Sequence, residues 1–166
     1  MYSYDEEIEL YIPKEQEIIQ NLADSAQDII QVVQTKPSSL YDMKPREFEE
    51  FIARIFSEHG FSVELTQKTR DGGKDIIAIR SDLGIKSKFI IECKRYAPHR
   101  SVGVDLVRSL YGVQMELGAN KSILATTSKF TPDAKKFAST KSTTQWAMDL
   151  VDYERIIHWV NETKNG

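Results

Sequence analysis

Three ionisable residues stand in a pattern that phosphodiester hydrolysis can use: Asp75, and further along Glu92 and Lys94 separated by Cys93. Asp75 opens one short β-branched run, and Glu92-Cys93-Lys94 closes the next. If the two runs form an antiparallel hairpin turning at Asp82-Leu83-Gly84, paired positions sum to about 167 and Asp75 lies opposite Glu92. Strand side chains alternate, so Glu92 and Lys94 share one face and Cys93 points to the other. Two carboxylates can hold Mg2+, a cation that prefers oxygen ligands and keeps several waters. A neighbouring ammonium can orient or deprotonate an attacking water and stabilise the charge of the transition state. The competing reading is an ordinary ion pair at a strand end, which a short Glu-x-Lys taken alone would suggest.

Cations and hydroxyls surround this trio. Lys74, Arg95, His99 and Arg100 flank it and suit phosphate contacts, which position a duplex without reading its sequence; each also fits a solvated basic rim. Asp71-Gly72-Gly73 reads as a tight turn before the strand, with glycines that would let backbone approach DNA. Tyr96 and Tyr111 suit packing more than chemistry. Thr126, Thr127 and Ser128 end a strand, where their hydroxyls either bind phosphate or close a turn. Gln114 is a further candidate for lining the site.

The elements that must position these groups follow from hydrophobic period. Apolar residues from Ile18 to Val33 recur at helical spacing, so a helix runs from Pro13 to about Gln34, and Thr35 to Ser39 breaks it. Pro45 suits the first turn of a second helix with the stripe Phe48, Phe51, Ile52, Ile55 and Phe56, ended by Gly60. Strands are expected at 61–66, 74–80 and 87–94, the third apolar on both faces and hence central. A helix carrying Val102, Leu106, Leu110, Val113 and Leu117 follows, then a strand at 122–127, a helix from Pro132 to Ser139, a strand near 146–151 and a last helix through Ile156 and Val160. This order implies an α/β fold with a mixed sheet between helices. Residues 1–36 are expected to form an N-terminal helical extension and 37–166 one catalytic domain, since 166 residues suffice for a single core.

Composition limits the function classes. The chain is 40% hydrophobic and 28% charged, ordinary for a globular protein, and no apolar run is long enough to span a bilayer. An acidic start unlike a secretion signal gives a cytoplasmic expectation. The lone Cys93 excludes an internal disulfide and a cysteine zinc cluster. The net charge of −3 conceals an asymmetry: residues 1–60 hold 5 Lys/Arg against 13 Asp/Glu, while residues 67–141 hold 15 against 7. A basic body beside an acidic extension permits nucleic-acid binding by the body.

Phe48-Glu49, Gly60-Phe61, Asp71-Gly72-Gly73-Lys74-Asp75-Ile76-Ile77, Glu92-Cys93-Lys94-Arg95-Tyr96, Gly112, Ala125-Thr126-Thr127-Ser128 and Phe130-Thr131 together resemble, in order and spacing, the Mrr-like restriction endonuclease family of the PD-(D/E)xK nuclease superfamily. The resemblance covers about residues 40 to 160 and implies a restriction-endonuclease-like sheet flanked by helices, with an extra N-terminal helix. It also implies a metal site at Asp75 and Glu92, with the Cys93 backbone carbonyl as a further ligand and Lys94 as the catalytic cation. An acidic residue from the preceding helix joins the catalytic set and completes the metal shell; by its place after Phe48 this is Glu49, with Glu50 as the alternative. Many members of the family carry glutamine where Glu92 stands, so this chain has the more general Glu-x-Lys form.

The expected activity is Mg2+-dependent cleavage of double-stranded DNA, with Mn2+ able to substitute, in restriction or defence against foreign DNA. Two alternatives stay open: a branched-DNA or repair nuclease, and a catalytically idle DNA-binding subunit. The N-terminal helix either packs on its own domain or mediates a homodimer or a larger defence complex.

Overall fold

The computed structural model describes residues 29–67, 74–140 and 146–163. Asp71, Gly72, Gly73 and most of the expected N-terminal helix lie outside them.

A five-stranded mixed sheet carries the chain in the order β1-β2-β3-β4-β5, the order of the sequence itself. β1 (Ser62–Leu65), β2 (Ile76–Asp82) and β3 (Ile85–Lys94) form an antiparallel meander. β4 (Lys121–Thr126) then pairs parallel to β3, and β5 (Met148–Val151) parallel to β4. The β2/β3 register pairs Ile76 with Ile91 and Asp82 with Ile85, which is the alignment expected from the turn. Leu83 and Gly84 form that turn with φ of 53° and 75°; two positive φ values match the right-handed twist of the flanking strands.

Helices cover both faces. On one side lie α1 (the described helical residues 29–35), α2 (Pro45–Glu58) and α5 (Tyr153–Glu162); on the other lie α3 (Val104–Leu117) and α4 (Pro132–Thr140). Alternation along β3 explains the two layers: Ile91 and Cys93 join the α2 core with Phe48, Phe51, Ile52 and Ile76, while Ile90 joins the α3 core with Val107, Leu110 and Leu124. Each fully buried large apolar side chain contributes roughly 1.5–3 kcal/mol.

Local sequence sets the helix ends. Pro45 supplies a fixed φ at the start of α2, and the Glu47 carboxylate accepts the Lys44 backbone N–H at 2.7 Å. Asp152 accepts from the Arg155 N–H at the start of α5, and Gly118 closes α3 in the left-handed conformation. The expected break after α1 is a 3-10 turn, Pro37–Asp42. Ile30 and Val33 are buried in the α2 core and Gln34 Nε2 donates to the Val160 carbonyl at 3.1 Å, so the described end of the N-terminal helix packs on this domain.

Two sequence expectations shift. Val102 does not begin α3; it forms a parallel bridge with Phe130, and the buried line of the helix is Val107, Leu110 and Gln114. Gln114 does not line the site. Fully buried, it accepts from Ser122 Oγ at 2.7 Å, at the end of β4 far from Thr126.

Candidate active site

The candidate site lies where β2 begins and β3 ends, and hairpin geometry builds it. Asp75 precedes the first residue of β2, and its N–H donates to the Ile91 carbonyl at 2.8 Å, so it extends the ladder to stand beside Glu92. Asp75 Oδ2 accepts the Cys93 N–H at 2.7 Å, tying the carboxylate to the strand that carries Glu92 and Lys94. The Lys94 ammonium lies 3.1 Å from Glu92 Oε1. Both acids are thus held by the hairpin rather than by loops.

The third acid comes from α2. Glu49 is 5% exposed, and Arg46 Nη1 reaches its Oε2 at 2.8 Å while also donating to the Thr66 carbonyl at 3.2 Å. Glu50, one residue on, points to solvent. Burial distinguishes the two: Glu49 is covered and its charge acts on Asp75 and Cys93, while Glu50 is exposed. Arg46 is the residue that sequence reasoning missed. Its helical spacing of three from Glu49 was the available signal.

Electrostatics follow from burial and neighbours. Burial raises the Asp75 pKa; the Cys93 N–H opposes this, the Glu49 charge adds to it, and Lys94 and Arg46 counter it. Burial also raises Glu92, against the charge and hydrogen bond of Lys94, with Asp75 pushing the same way as burial. Lys94 is lowered by burial, but Glu92, then Tyr96 and Asp75, more than reverse this, so the ammonium is held. Burial, with Asp75, Glu49 and Glu92 nearby, drives the Cys93 thiol well up, keeping it neutral and unreactive.

Carboxylate oxygens are hard donors, and Asp75 and Glu92, whose ionisation burial disfavours, fit a divalent cation such as Mg2+ by the chemistry of their donor atoms. Asp75 and Glu92 are the residues that would hold it, with Glu49 beside them. Among the described residues no three His, Cys, Asp or Glu side chains are grouped tightly enough to enclose an ion alone. Mg2+ does not need this, because it commonly takes one or two carboxylates and completes its shell with water and phosphate oxygens.

The flanking cations fall into two groups. Arg95, His99 and Arg100 lie in the loop that follows β3, with His99 and Arg100 exposed. Lys74 directly precedes Asp75 and is half-buried, its carbonyl accepting from Thr66 Oγ1 at 2.8 Å. The hydroxyls of Thr126, Thr127 and Ser128 all donate to backbone carbonyls of the β3 end and its loop, so they are not free for phosphate. Tyr111 packs edge-on against Phe137.

A family of restriction endonuclease catalytic domains matches residues 40–160. The chain belongs to that family. The chain is 28% identical over 133 residues to the type IV methyl-directed restriction enzyme EcoKMrr of Escherichia coli strain K12, an alignment covering 77% of this chain and 41% of that enzyme. Its fold resembles the DNA modification-dependent restriction endonuclease AspBHI, with a TM-score of 0.57 and 21% identity over 90% of this chain and 36% of the other. It also resembles the MspJI restriction endonuclease solved in complex with a 27-mer oligonucleotide, with a TM-score of 0.50 and 16% identity over 96% and 34% of the two chains. The chain thus spans between about a third and two-fifths of each relative's length.

Proposed function

We propose that the domain is a divalent-metal-dependent endonuclease that hydrolyses phosphodiester bonds of double-stranded DNA in the cytoplasm, in restriction or defence against foreign DNA. The observation that carries this reading is the Asp75 carboxylate bonded to the Cys93 N–H between Glu92 and Lys94 on the same strand. That arrangement places two acids and one cation at a single sheet end, where a lone structural ion pair would leave Asp75 without a purpose.

Asp75 and Glu92 would hold the metal, Mg2+ with Mn2+ as a substitute, with the Cys93 carbonyl as a further oxygen donor. Held there, a divalent metal would supply positive charge against the scissile phosphate and favour deprotonation of the attacking water. Lys94, kept protonated by Glu92, places its ammonium against the phosphate oxygen on which charge builds. Glu49 supports Asp75 from α2, and Arg46 holds Glu49 in place. Lys74, Arg95, His99 and Arg100 contact the DNA backbone. A single site cuts one strand, so a double-strand break requires two copies or two successive cuts.

Supercoiled plasmid incubated with purified protein and Mg2+ tests this. Conversion to nicked and linear DNA is expected, lost in EDTA and in Asp75→Ala. Cleavage that Asp75→Ala leaves unchanged would refute the site.

A further inference from the structure

Residues 95–101 connect β3 to α3 without forming a strand or helix, yet their backbone is anchored along its length. Thr126 Oγ1 donates to the Lys94 carbonyl at 2.8 Å, Thr127 Oγ1 to the Tyr96 carbonyl at 2.6 Å, and Ser128 Oγ to the Arg100 carbonyl. All three donors are buried. The Thr127 N–H reaches the Lys94 carbonyl at 3.3 Å. Past the loop, Val102 donates to Lys129 at 2.8 Å and accepts from Thr131 at 3.0 Å. These hydroxyls supply donors to loop carbonyls that strand pairing does not reach, and so fix the path of the loop backbone.

The held loop presents cations in a defined way. The Arg100 guanidinium carbon lies 3.9 Å from the centre of the Tyr96 ring, while Thr127 fixes the Tyr96 carbonyl and Ser128 the Arg100 carbonyl. Stacking covers a guanidinium's face and leaves its in-plane N–H groups at the edge, where they can grip an oxyanion in two places. Among the described residues no ion pair engages Arg100, and the buried Nε of Arg95 has no hydrogen-bond acceptor. Arg95 follows directly on Lys94, and Arg100 lies five residues beyond it in the same anchored loop.

We propose that Thr126, Thr127 and Ser128 are positioning residues for a phosphate-gripping loop, in which Arg100 stacked on Tyr96, together with Arg95, holds the DNA backbone next to the scissile bond. The proposal rests on the reading of the domain as a DNA nuclease and adds the device that sets the strand in the site. Thr127 is its centre, because its hydroxyl holds the residue on which Arg100 stacks.

The test combines a measurement on the free protein with one on DNA. In nuclear magnetic resonance spectra of the free protein, the Arg100 side-chain N–H is shifted by the Tyr96 ring current; Tyr96→Leu and Thr127→Val remove that shift and Thr127→Ser restores it. In EDTA, anisotropy of a labelled duplex shows Thr127→Val and Arg100→Gln each weakening binding by about three- to tenfold at moderate salt, with the slope of log affinity against log salt falling by about 0.9, the loss of one phosphate contact. Because Thr127 acts through Arg100, the double variant is no weaker than Arg100→Gln alone. With Mg2+, KM for DNA rises while kcat is retained. Should Thr127→Val fail to fold, Tyr96→Leu, which leaves the Thr127 hydroxyl and its carbonyl partner in place, makes the same predictions. Unchanged ring-current shift and salt slope in these variants overturn the clamp alone; a wild-type protein that keeps the Arg100 shift but binds no duplex overturns the nuclease reading beneath it.

Discussion

The carboxylate of Asp75 accepts the backbone N–H of Cys93 at 2.7 Å, so an acid on one strand is positioned by the peptide between Glu92 and Lys94 on the next. Asparagine can accept the same N–H through its carbonyl oxygen. Asp75→Asn is therefore expected to fold as the wild type does and to lose cleavage by about a hundredfold or more, since one site charge is gone while the backbone contact stays. Plasmid nicking rates beside circular dichroism spectra check this.

Asp75 also sets a pH dependence of stability. Its folded pKa is raised, chiefly by burial, so ionisation is disfavoured in the native state relative to the unfolded chain. Its contribution is most favourable below the ordinary carboxylate pKa of roughly 4 and is lost as pH rises through the folded value. Without divalent cations, the melting temperature of Asp75→Asn minus that of wild type should become more positive between about pH 4 and pH 8. A difference that is flat or falls with pH would show that the carboxylate carries no such penalty.

Glu49 and Glu50 provide a direct contrast. Glu49 is buried against Arg46, whereas Glu50 is exposed. Glu49→Gln is expected to lower kcat about tenfold or more and to raise the Mg2+ concentration needed for half-maximal rate; Glu50→Gln should leave both near wild type. Metal titrations of the cleavage rate decide it, and equal effects of the two changes would remove Glu49 from the site.

Lys94 is expected to act on the phosphate rather than as a mere counter-ion for Glu92. Lys94→Met should abolish cleavage by about a hundredfold or more while still binding Mn2+ in calorimetry, since the carboxylates remain. Wild-type rates in this variant would reduce the Lys94 to Glu92 contact to a structural ion pair.

At the far end of the same hairpin, Leu83 has a φ of 53° and is fully exposed. A left-handed conformation costs a branched side chain of this kind roughly 1–2 kcal/mol, and asparagine less. Leu83→Asn should stabilise the domain by about 0.5–1 kcal/mol without touching activity, as read from urea unfolding.

The hairpin was legible because its signals are local: two alternating β-branched runs and a turn fix the register, and with it the neighbours of Asp75. The choice between Glu49 and Glu50 was not, since both border the apolar stripe of α2 and the packed hairpin decides which one is covered. The carbonyl partners of Thr126, Thr127 and Ser128 lie 32, 31 and 28 positions away, contacts that no local pattern encodes. Gln114 misled for a related reason. A glutamine on an apolar helix face can serve chemistry or satisfy a buried partner, and Ser122 supplies that partner only once β4 is in place.

Strand order across the sheet repeats strand order along the chain, and the acids and the cation all fall between Glu49 and Lys94. Bringing Asp75 to Glu92 takes only the closure of one hairpin, a short loop with a small entropic cost. Contacts of this kind are favoured early in folding, before slower parallel pairing of β4 and β5. The proposed site residues therefore belong to a contiguous, fast-assembling segment, and the later half of the chain packs around them and anchors the loop that follows β3.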